Sequence, residues 1–365
     1  MLKSLHLKNF TVFSDTRFVF GKNLNIIVGE NGSGKSHLLK AAYVGLSVSA
    51  RYGSAGANDD IGEVPIRALL ETVLAEKLRN VFRPDDLGRL VSRGGPVNQA
   101  VDMVFNFDEK ERDMSLHFSR KARAKVEIIK KPTSWLKKVP IFLPTRELMT
   151  IYPGFVSLYE TMSTQFEETW RDTCLQLGRP TLRRMNEGEI FKAMDAVTEA
   201  IHGHLALEES GRFYLKTQAG SMEMHLLAEG LRKLAAIERL IATGSLCPKG
   251  CLLWDEPEAN LNPSLIKIVA RAILLLAKSG VQVFIASHSL FLIRELHLLK
   301  QAEFAELDQR CFGLQLNNEG DVNVLQGKTM DDIGPIAALD EDLQQSDRYI
   351  NVEMGLASQT HAEEE

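Results

Sequence analysis

The sequence is poor in cysteine and has no long apolar run. Its cysteines are Cys174, Cys247, Cys251 and Cys311. No second Cys or His pair lies near Cys247 and Cys251 at zinc-site spacing, so we expect reduced structural thiols in a cytoplasmic protein. No segment approaches the roughly eighteen apolar residues of a membrane helix, and the opening MLKSLHLKNF lacks the apolar core of a secretion signal. These absences predict a protein with no membrane partner.

An excess of basic charge is also missing. The formal net charge is −5, which argues against a protein that coats nucleic acid with its whole surface. Basic residues are nevertheless concentrated in one run, which contains Arg120, Lys121, Arg123, Lys125, Lys130, Lys131, Lys137 and Lys138. The run predicts either a contact with phosphate backbones, which leaves DNA open as a partner, or the solvated face of strands.

The stretch IIVGENGSGKSHLL, from Ile26 to Leu39, is the most specific motif present. An apolar strand is followed by a loop that matches G-x-x-x-x-G-K-[ST], and a helix comes next. The loop consists of Gly29, Glu30, Asn31, Gly32, Ser33, Gly34, Lys35 and Ser36, and we call it the P-loop. Its glycines allow backbone N–H groups to surround phosphates, Lys35 is expected to reach the β- and γ-phosphates, and Ser36 to bind Mg²⁺. ATP and Mg²⁺ are therefore the predicted ligands.

CLLWDEPEANLNP, at 251–263, places two carboxylates at the end of an apolar strand. Pro257 then forces a turn. Beside a P-loop, Asp255 is expected to hold Mg²⁺, and Glu256 to act as the general base on the attacking water. The alternative is that acidic residues commonly follow buried strands.

VQVFIASHSLFL, at 281–292, is a third strand that ends in polar residues. His288 is predicted to contact the γ-phosphate and to report its presence. The alternative is that His288 is an incidental loop residue. Ser289 is expected to cap the following helix in either case.

In this order, the P-loop, a helical region, the Asp-Glu strand and Ser-His-Ser resemble an ABC-type ATPase of the AAA-family P-loop proteins. The opening LKSLHLKNFTVFSD resembles the start of RecF, of structural-maintenance-of-chromosomes (SMC) proteins and of OLD-like ATPases. LLAEGLRKLAAI, at 226–237, occupies the place of that superfamily's L-S-G-G-Q/E signature, and we call it the signature segment. The resemblance implies that two protomers enclose ATP between them.

The signature segment departs from the superfamily pattern. Ala228, Glu229 and Leu231 stand where the signature has serine, glycine and Gln/Glu. The resemblance implies that Gly230 offers backbone N–H groups, and Arg232 a charge, to the ATP of a second protomer. The alternative is an amphipathic helix whose Arg and Lys face solvent.

Two further stretches resemble OLD-like and bacterial defence ATPases. EPEANLNP has Asn262 where the D-loop of a transporter ATPase usually has Asp. FLPTRELM, at 142–149, resembles a P-x-R-E element, which implies that Arg146 and Glu147 couple nucleotide to lobe movement. A surface ion pair is the alternative for these two residues.

The element pattern predicts an α/β fold of the ABC-ATPase type. We expect a mostly parallel core sheet, an antiparallel β subdomain and an inserted helical lobe. The predicted domains are 1–150 with the P-loop and the β subdomain, 151–245 as the helical lobe, 246–330 as the completion of the core, and 331–365 as a short helix and a disordered tail. Within this pattern, the helix after the P-loop is predicted to end near Val48, and 49–62 to form a loop.

The function that follows is an ATPase that assembles as a homodimer or higher homo-oligomer and controls a separate effector protein. The resemblance suggests bacterial antiphage or toxin–antitoxin-like defence. No second catalytic cluster is recognisable after His288, and Asp331-Asp332 is expected to be a polar turn. A RecF-like DNA repair ATPase and a non-hydrolysing, ATP-gated scaffold remain as alternatives.

Overall fold

The computed structural model describes residues 1–55, 66–93, 98–162, 165–182, 188–317, 320–335, 341 and 344–352. The strands are β1 (Leu2–Phe10), β2 (Phe13–Val19), β3 (Leu24–Gly29), β4 (Ala100–Phe107), β5 (Met114–Ser119), β6 (Glu127–Lys130), β7 (Ile141–Leu143), β8 (His204–Leu207), β9 (Phe213–Thr217), β10 (Gly220–Glu223), β11 (Cys251–Asp255), β12 (Gln282–Ser287), β13 (Gln309–Leu316) and β14 (Val322–Gly327). The helices are α1 (Lys35–Ala55), α2 (Arg67–Phe82), α3 (Tyr152–Thr161), α4 (Glu168–Leu177), α5 (Glu189–Ile201), α6 (Glu229–Ala242), α7 (Pro263–Lys278) and α8 (Leu290–Glu303). Residues 344–352 are also helical.

A six-stranded sheet of order β14-β13-β3-β12-β11-β7 forms the centre of the protein. Its neighbouring strands run parallel except for the β13–β14 hairpin. Ser287 of β12 lies beside Val28 of β3, and Asp255 of β11 lies beside Ala286 of β12. The carboxyl ends of β3, β11 and β12 therefore meet at one edge, where open α/β sheets bind ligands.

Both faces of this sheet are buried, because its side chains alternate between two hydrophobic cores. On β12, Val283 and Ile285 join the core under α5, α6, α7 and α8, whereas Phe284 and Ala286 join the core under α1 and α2. Burial on both faces explains why the strand sequences are continuously apolar. It also fixes the strand register, since a shift by one residue would exchange the two cores.

A second, antiparallel sheet of order β2-β1-β4-β5-β6 covers the far side of α1. A third, three-stranded sheet of order β10-β9-β8 lies with α3 to α6 in the helical lobe. The predicted fold class, with its parallel core, antiparallel subdomain and inserted lobe, is confirmed. The exact domain limits at 150, 245 and 330 stay predictions.

The end of α1 was predicted wrongly, because this helix continues to Ala55 rather than ending near Val48. Ala50 is fully buried, and the Ser49 hydroxyl oxygen accepts a hydrogen bond from the Leu136 amide at 3.0 Å. A Cβ at Gly53 would collide with the Leu136 carbonyl. The small residues therefore serve close packing of a helix, and this tertiary contact outweighs their weak helix propensity. Residues 56–62 of the expected loop lie outside the described residues.

Other predictions fall partly outside the described residues. The sequence predicts that the last hairpin turns at 318–320, and of these residues only Gly320 is described. Most of the predicted disordered tail lies beyond residue 352, the last that the structure describes. Asp331 and Asp332 lie in a short 3-10 turn, Asp331–Ile333, as expected for a polar turn, and the helical residues 344–352 follow it along the chain. The Asp332 carboxylate accepts hydrogen bonds from the Lys328 and Thr329 amides, so it has a structural role there.

Candidate nucleotide-binding site

The P-loop joins the end of β3 to the start of α1, as the motif predicts. Gly34 has a φ of +91°, and a Cβ there would lie 2.5 Å from Cγ2 of Val12 at the tip of the β1–β2 turn. A Cβ at Gly29 would lie 2.5 Å from the Leu314 carbonyl oxygen. Glycine is therefore required at both ends of the loop, at one by conformation and at both by close approach.

Lys35 is held over the P-loop by the loop itself. Its Nζ donates hydrogen bonds to the carbonyl oxygens of Gly29, at 2.7 Å, and Glu30, at 2.8 Å. Burial lowers the pKa of the Lys35 ammonium, and the nearby carboxylates of Glu256 and Asp255 oppose that shift. The ammonium is thus fixed by neutral acceptors, which a phosphate can replace, at the mouth of a loop whose N–H groups favour anions.

Asp255 and Ser36 meet at the same edge, and their chemistry fits Mg²⁺. The Ser36 side chain is hydrogen-bonded to the Asp255 carboxylate. Burial raises the pKa of the Asp255 carboxyl, and the hydrogen bond to Ser36 works against the shift. Among the described residues, Oδ1 of Asp255 is buried and has no hydrogen-bond partner. A hydroxyl and a free carboxylate oxygen are hard ligands that Mg²⁺ accepts alongside phosphate oxygens, so these two residues could hold the ion.

Glu256 and His288 face each other across the ends of β11 and β12. Glu256 has a φ of +49°, and its backbone N–H donates to the Ala286 carbonyl oxygen at 2.9 Å. Its Oε1 lies 3.2 Å from Nδ1 of His288, which is half exposed. The Ser289 hydroxyl oxygen accepts from the Leu292 amide at 3.4 Å, so its predicted role as the cap of α8 is confirmed.

Two buried charged residues at this edge were not singled out from the sequence. Glu258 accepts a hydrogen bond from the Ser287 hydroxyl at 2.6 Å, and Lys233 donates to the Ala259 carbonyl oxygen at 2.8 Å. Burial lowers the pKa of the Lys233 ammonium, and the Glu229 and Glu258 carboxylates oppose the shift. Glu258 could have been noticed as the second glutamate of EPEANLNP. Lys233 was not considered for the site, because an amphipathic α6 would direct its lysine into solvent.

The signature segment uses its candidate residues within its own chain. Gly230 is buried, and a Cβ there would lie 2.6 Å from Cδ2 of Leu261. The Arg232 guanidinium contacts Glu147, with Nε 3.0 Å from Oε1, and donates to the Leu227 carbonyl oxygen at 2.6 Å. The alternative of solvent-facing Arg and Lys is therefore wrong, since Lys233 is buried and Arg232 is largely so. Ala228, the N-cap of α6, is exposed, as is Leu226 at the start of the segment.

The P-x-R-E element is divided between two environments. Glu147 is buried beside Arg232, whereas Arg146 is exposed. The expected surface pair of Arg146 with Glu147 is replaced by a buried pair that links the end of the core strand β7 to helix α6. This geometry is compatible with a coupling role for Glu147, which stays a prediction.

The basic run lies on and around β6, an edge strand of the antiparallel sheet. Among its members, Lys130 pairs with Asp113, and Arg120 donates to the Ser92 carbonyl oxygen. The side chains of Lys121, Arg123, Lys125, Lys137 and Lys138 are exposed. Exposed lysines also protect an edge strand from pairing with another chain, so exposure alone does not indicate nucleic acid.

Comparison with known proteins agrees with this geometry. Residues 4–139 match a family model described as an AAA domain, and residues 150–294 match one described as an AAA domain, putative AbiEii toxin, type IV TA system. The chain has the fold of the P-loop ATPase heads of the ABC/AAA type, and both of its matched segments are similar to AAA domains. Within that class it resembles the heads of RecF and SMC proteins.

Short segments resemble curated proteins. The chain is 53% identical over 47 residues to human structural maintenance of chromosomes protein 6, covering 13% of this chain and 4% of that protein. It is 43% identical over 44 residues to the DNA replication and repair protein RecF of Shouchella clausii (strain KSM-K16), covering 12% of each. The chain thus matches only a small fraction of either relative's length.

Solved SMC heads share the fold at low identity. A head bound to the C-terminal winged-helix domain of ScpA superposes with a TM-score of 0.55 at 15% identity, covering 90% of this chain and 98% of that one. An SMC head with an extended coiled coil, bound to the C-terminal domain of ScpA and derived from Pyrococcus furiosus, gives 0.52 at 14% identity, with coverages of 95% and 99%. Among the described residues, no helix has the length and hydropathy that a bilayer crossing requires.

Proposed function

We propose that the chain is an ATPase that binds ATP and Mg²⁺ and assembles with itself on ATP. A single observation carries the proposal. Lys35 and Ser36 of the P-loop converge with Asp255, Glu256 and His288 at the carboxyl edge of the parallel sheet. These five side chains come from three separate sequence motifs. A cluster with a purely structural role would not require that one of those motifs be a P-loop.

The proposed chemistry assigns one task to each group. The P-loop amides and Lys35 bind the phosphates, and Ser36 and Asp255 hold Mg²⁺, which when bound supplies charge that stabilises phosphate oxygens. Glu256 accepts a proton from the attacking water, and its contact with His288 orients the carboxylate. His288, half exposed at the rim, is free to donate to a γ-phosphate oxygen.

Assembly on ATP and control of a separate effector extend this proposal. The family model over 150–294 is described with a toxin of type IV toxin–antitoxin systems, and the solved SMC heads are bound to ScpA. These descriptions support action on another protein in a bacterial defence setting, whereas the homodimer or higher homo-oligomer rests on the resemblance to ABC-type ATPases. ATP can drive such a change only through a higher affinity for the assembled state.

Phosphate release and light scattering test the proposal with one variant. Glu256→Gln keeps the size of the side chain and removes the base, so we expect turnover to fall at least about 100-fold while ATP-dependent assembly persists. Glu303→Gln is the matched control, because Glu303 is exposed and pairs with Arg271. Unchanged turnover in Glu256→Gln removes the base role. Tight ATP binding by the wild type without any turnover indicates the non-hydrolysing scaffold instead.

A RecF-like role in DNA repair is the second candidate, and the exposed basic side chains beside β6 favour it. Fluorescence anisotropy with labelled duplex DNA compares the wild type with a variant carrying Lys121→Glu, Arg123→Glu and Lys125→Glu. Salt-dependent DNA binding that the variant loses would support this candidate. Equal or absent binding in both proteins would leave the effector-control proposal.

A further inference from the structure

We propose that Glu258 is a positioning residue of the nucleotide site. Its carboxylate clasps Ser287 and so fixes the two turns that carry Glu256 and His288. This inference rests on the proposed ATP site and assigns the residue that aligns its γ-phosphate end.

The hydrogen bond between Glu258 and Ser287, which we call the clasp, joins the turn after β11 to the end of β12. Glu258 is only 8% exposed, and its Oε1 accepts a hydrogen bond from the fully buried Ser287 hydroxyl at 2.6 Å. The same hydroxyl oxygen accepts a hydrogen bond from the Ser289 amide at 3.0 Å. The chain of bonds from Glu258 through Ser287 to Ser289 therefore passes around His288 and sets the direction in which its ring leaves the backbone.

The turn after β11 needs such support, because it contains two strained residues. Glu256 has a φ of +49° and Asn260 a φ of +63°, and neither is glycine. Glu258 lies between them, and its carbonyl oxygen accepts from the Leu261 amide at 3.1 Å. Left-handed residues of this kind cost on the order of 1 kcal/mol each and persist only where the surroundings hold them. The Ser287 clasp fastens the middle of the turn to β12.

The use of a carboxylate suggests more than packing. Oε2 of Glu258 is buried and has no hydrogen-bond partner among the described residues. A buried charge is costly, and an amide side chain of similar size could accept the same hydrogen bond from Ser287 without burying a charge.

The inference predicts how the site distinguishes ATP from ADP. Glu256 and His288 lie at the γ-phosphate end, whereas the P-loop holds the phosphates that both nucleotides share. Loss of the clasp should therefore weaken triphosphate binding and leave ADP binding nearly unchanged. A merely structural role would weaken both, since the fold around the whole P-loop would loosen.

Isothermal titration calorimetry with ADP and with the imido analogue of ATP, both with Mg²⁺, tests this. We expect the wild type to prefer the triphosphate and Glu258→Gln to lose about tenfold of that preference, because a charge-assisted hydrogen bond becomes a neutral one. Ser287→Ala removes the other side of the clasp and should give a similar loss. Glu303→Gln should keep the wild-type ratio. Adding Glu258→Gln to His288→Ala should cause little further loss, since the two act as a unit.

Three results with the variants would overturn the inference. One is an unchanged triphosphate preference in Glu258→Gln and Ser287→Ala. Another is an equal loss of ADP and triphosphate affinity, and a third is full additivity with His288→Ala. A wild type that binds both nucleotides equally would also overturn it while leaving the P-loop assignment intact. A wild type that binds neither nucleotide would instead refute the proposed function.

Discussion

The P-loop edge and the signature segment differ in what their charged groups bind. At the P-loop edge, Lys35 is bonded to backbone carbonyls and Asp255 keeps a buried oxygen without a partner among the described residues. In the signature segment, Arg232 is paired with Glu147 and Gly230 is packed against Leu261. One region retains groups for a ligand, whereas the other has used them to attach the helical lobe to the core.

This difference explains which sequence motifs were informative. The P-loop motif specifies a local backbone conformation, so the geometry of the loop can be predicted from its own residues. The signature motif describes a contact with another molecule, and its divergent residues have acquired partners inside the chain. The contrast between ligand groups and internal attachments leads to four predictions about the two regions.

The largest effect is expected for Lys35→Ala. The variant loses the buried ammonium over the P-loop, so ATP affinity should fall at least about 100-fold, or about 2.7 kcal/mol, in calorimetry. The control Lys22→Ala changes an exposed lysine near β3 and should bind ATP like the wild type. If Lys35→Ala and the wild type bind ATP with equal affinity, the charged groups at the P-loop edge do not bind the nucleotide.

Arg232→Ala should affect stability rather than ATP binding. Removing the guanidinium leaves Glu147, which is 6% exposed, without its cation, and we expect a loss of about 2 kcal/mol in urea unfolding. The control Arg271→Ala breaks the exposed pair with Glu303 and should cost less than about 1 kcal/mol. If Arg232→Ala instead keeps full stability and loses ATP-dependent assembly, the residue serves a second protomer and the contrast between the two regions fails.

A third prediction concerns pH and Glu238 on α6. Burial raises the pKa of the Glu238 carboxyl to about 7, so the folded protein holds this proton at pH values where the unfolded chain has lost it. Stability should therefore fall as pH rises from about 4.5 to about 7, and the penalty should be complete above that range. Glu238→Gln should raise stability by about 1 to 2 kcal/mol at pH 8 and change little at pH 4.5.

Urea unfolding at the two pH values measures this difference. Glu199→Gln, at an exposed position on α5, is the control and should show no gain at pH 8. A variant that is destabilised at pH 8 would mean that the ionised carboxylate contributes favourably to the lobe. The prediction that burial of the ionised Glu238 carboxylate destabilises the fold would then be wrong.

Much of the fold followed from the sequence, because continuous apolar strands and glycine-rich turns are local signals. The strands ending at Gly29, Asp255 and Ser287 were predicted, and their parallel order brings the motifs together. The clasp between Glu258 and Ser287 could not be foreseen, since it joins residues far apart in the sequence, one in the turn after β11 and one at the end of β12. The extension of α1 past Val48 was missed for the same reason, because the contact that stabilises it comes from Leu136.

The smallest effect is expected at Ala228, which tests whether the signature segment also faces a second protomer. Gly230 is unsuitable for this test, because any side chain there meets Leu261 within the same chain. Ala228 is the exposed N-cap of α6 and provides no side-chain cap. Both Ala228→Ser and Ala228→Asp supply one, so each should stabilise the monomer by about 0.5 to 1 kcal/mol.

The two variants should differ only in assembly. A serine hydroxyl can donate to a phosphate oxygen of a facing protomer, so light scattering should show ATP-dependent association strengthened about fivefold, or about 1 kcal/mol. An aspartate places a negative charge opposite that phosphate and should weaken association while leaving ATP affinity unchanged. If both variants associate like the wild type although both are stabilised, the signature segment serves only its own chain. Opposite shifts would show that it attaches the lobe with Gly230 and Arg232 and contacts the partner's nucleotide through position 228.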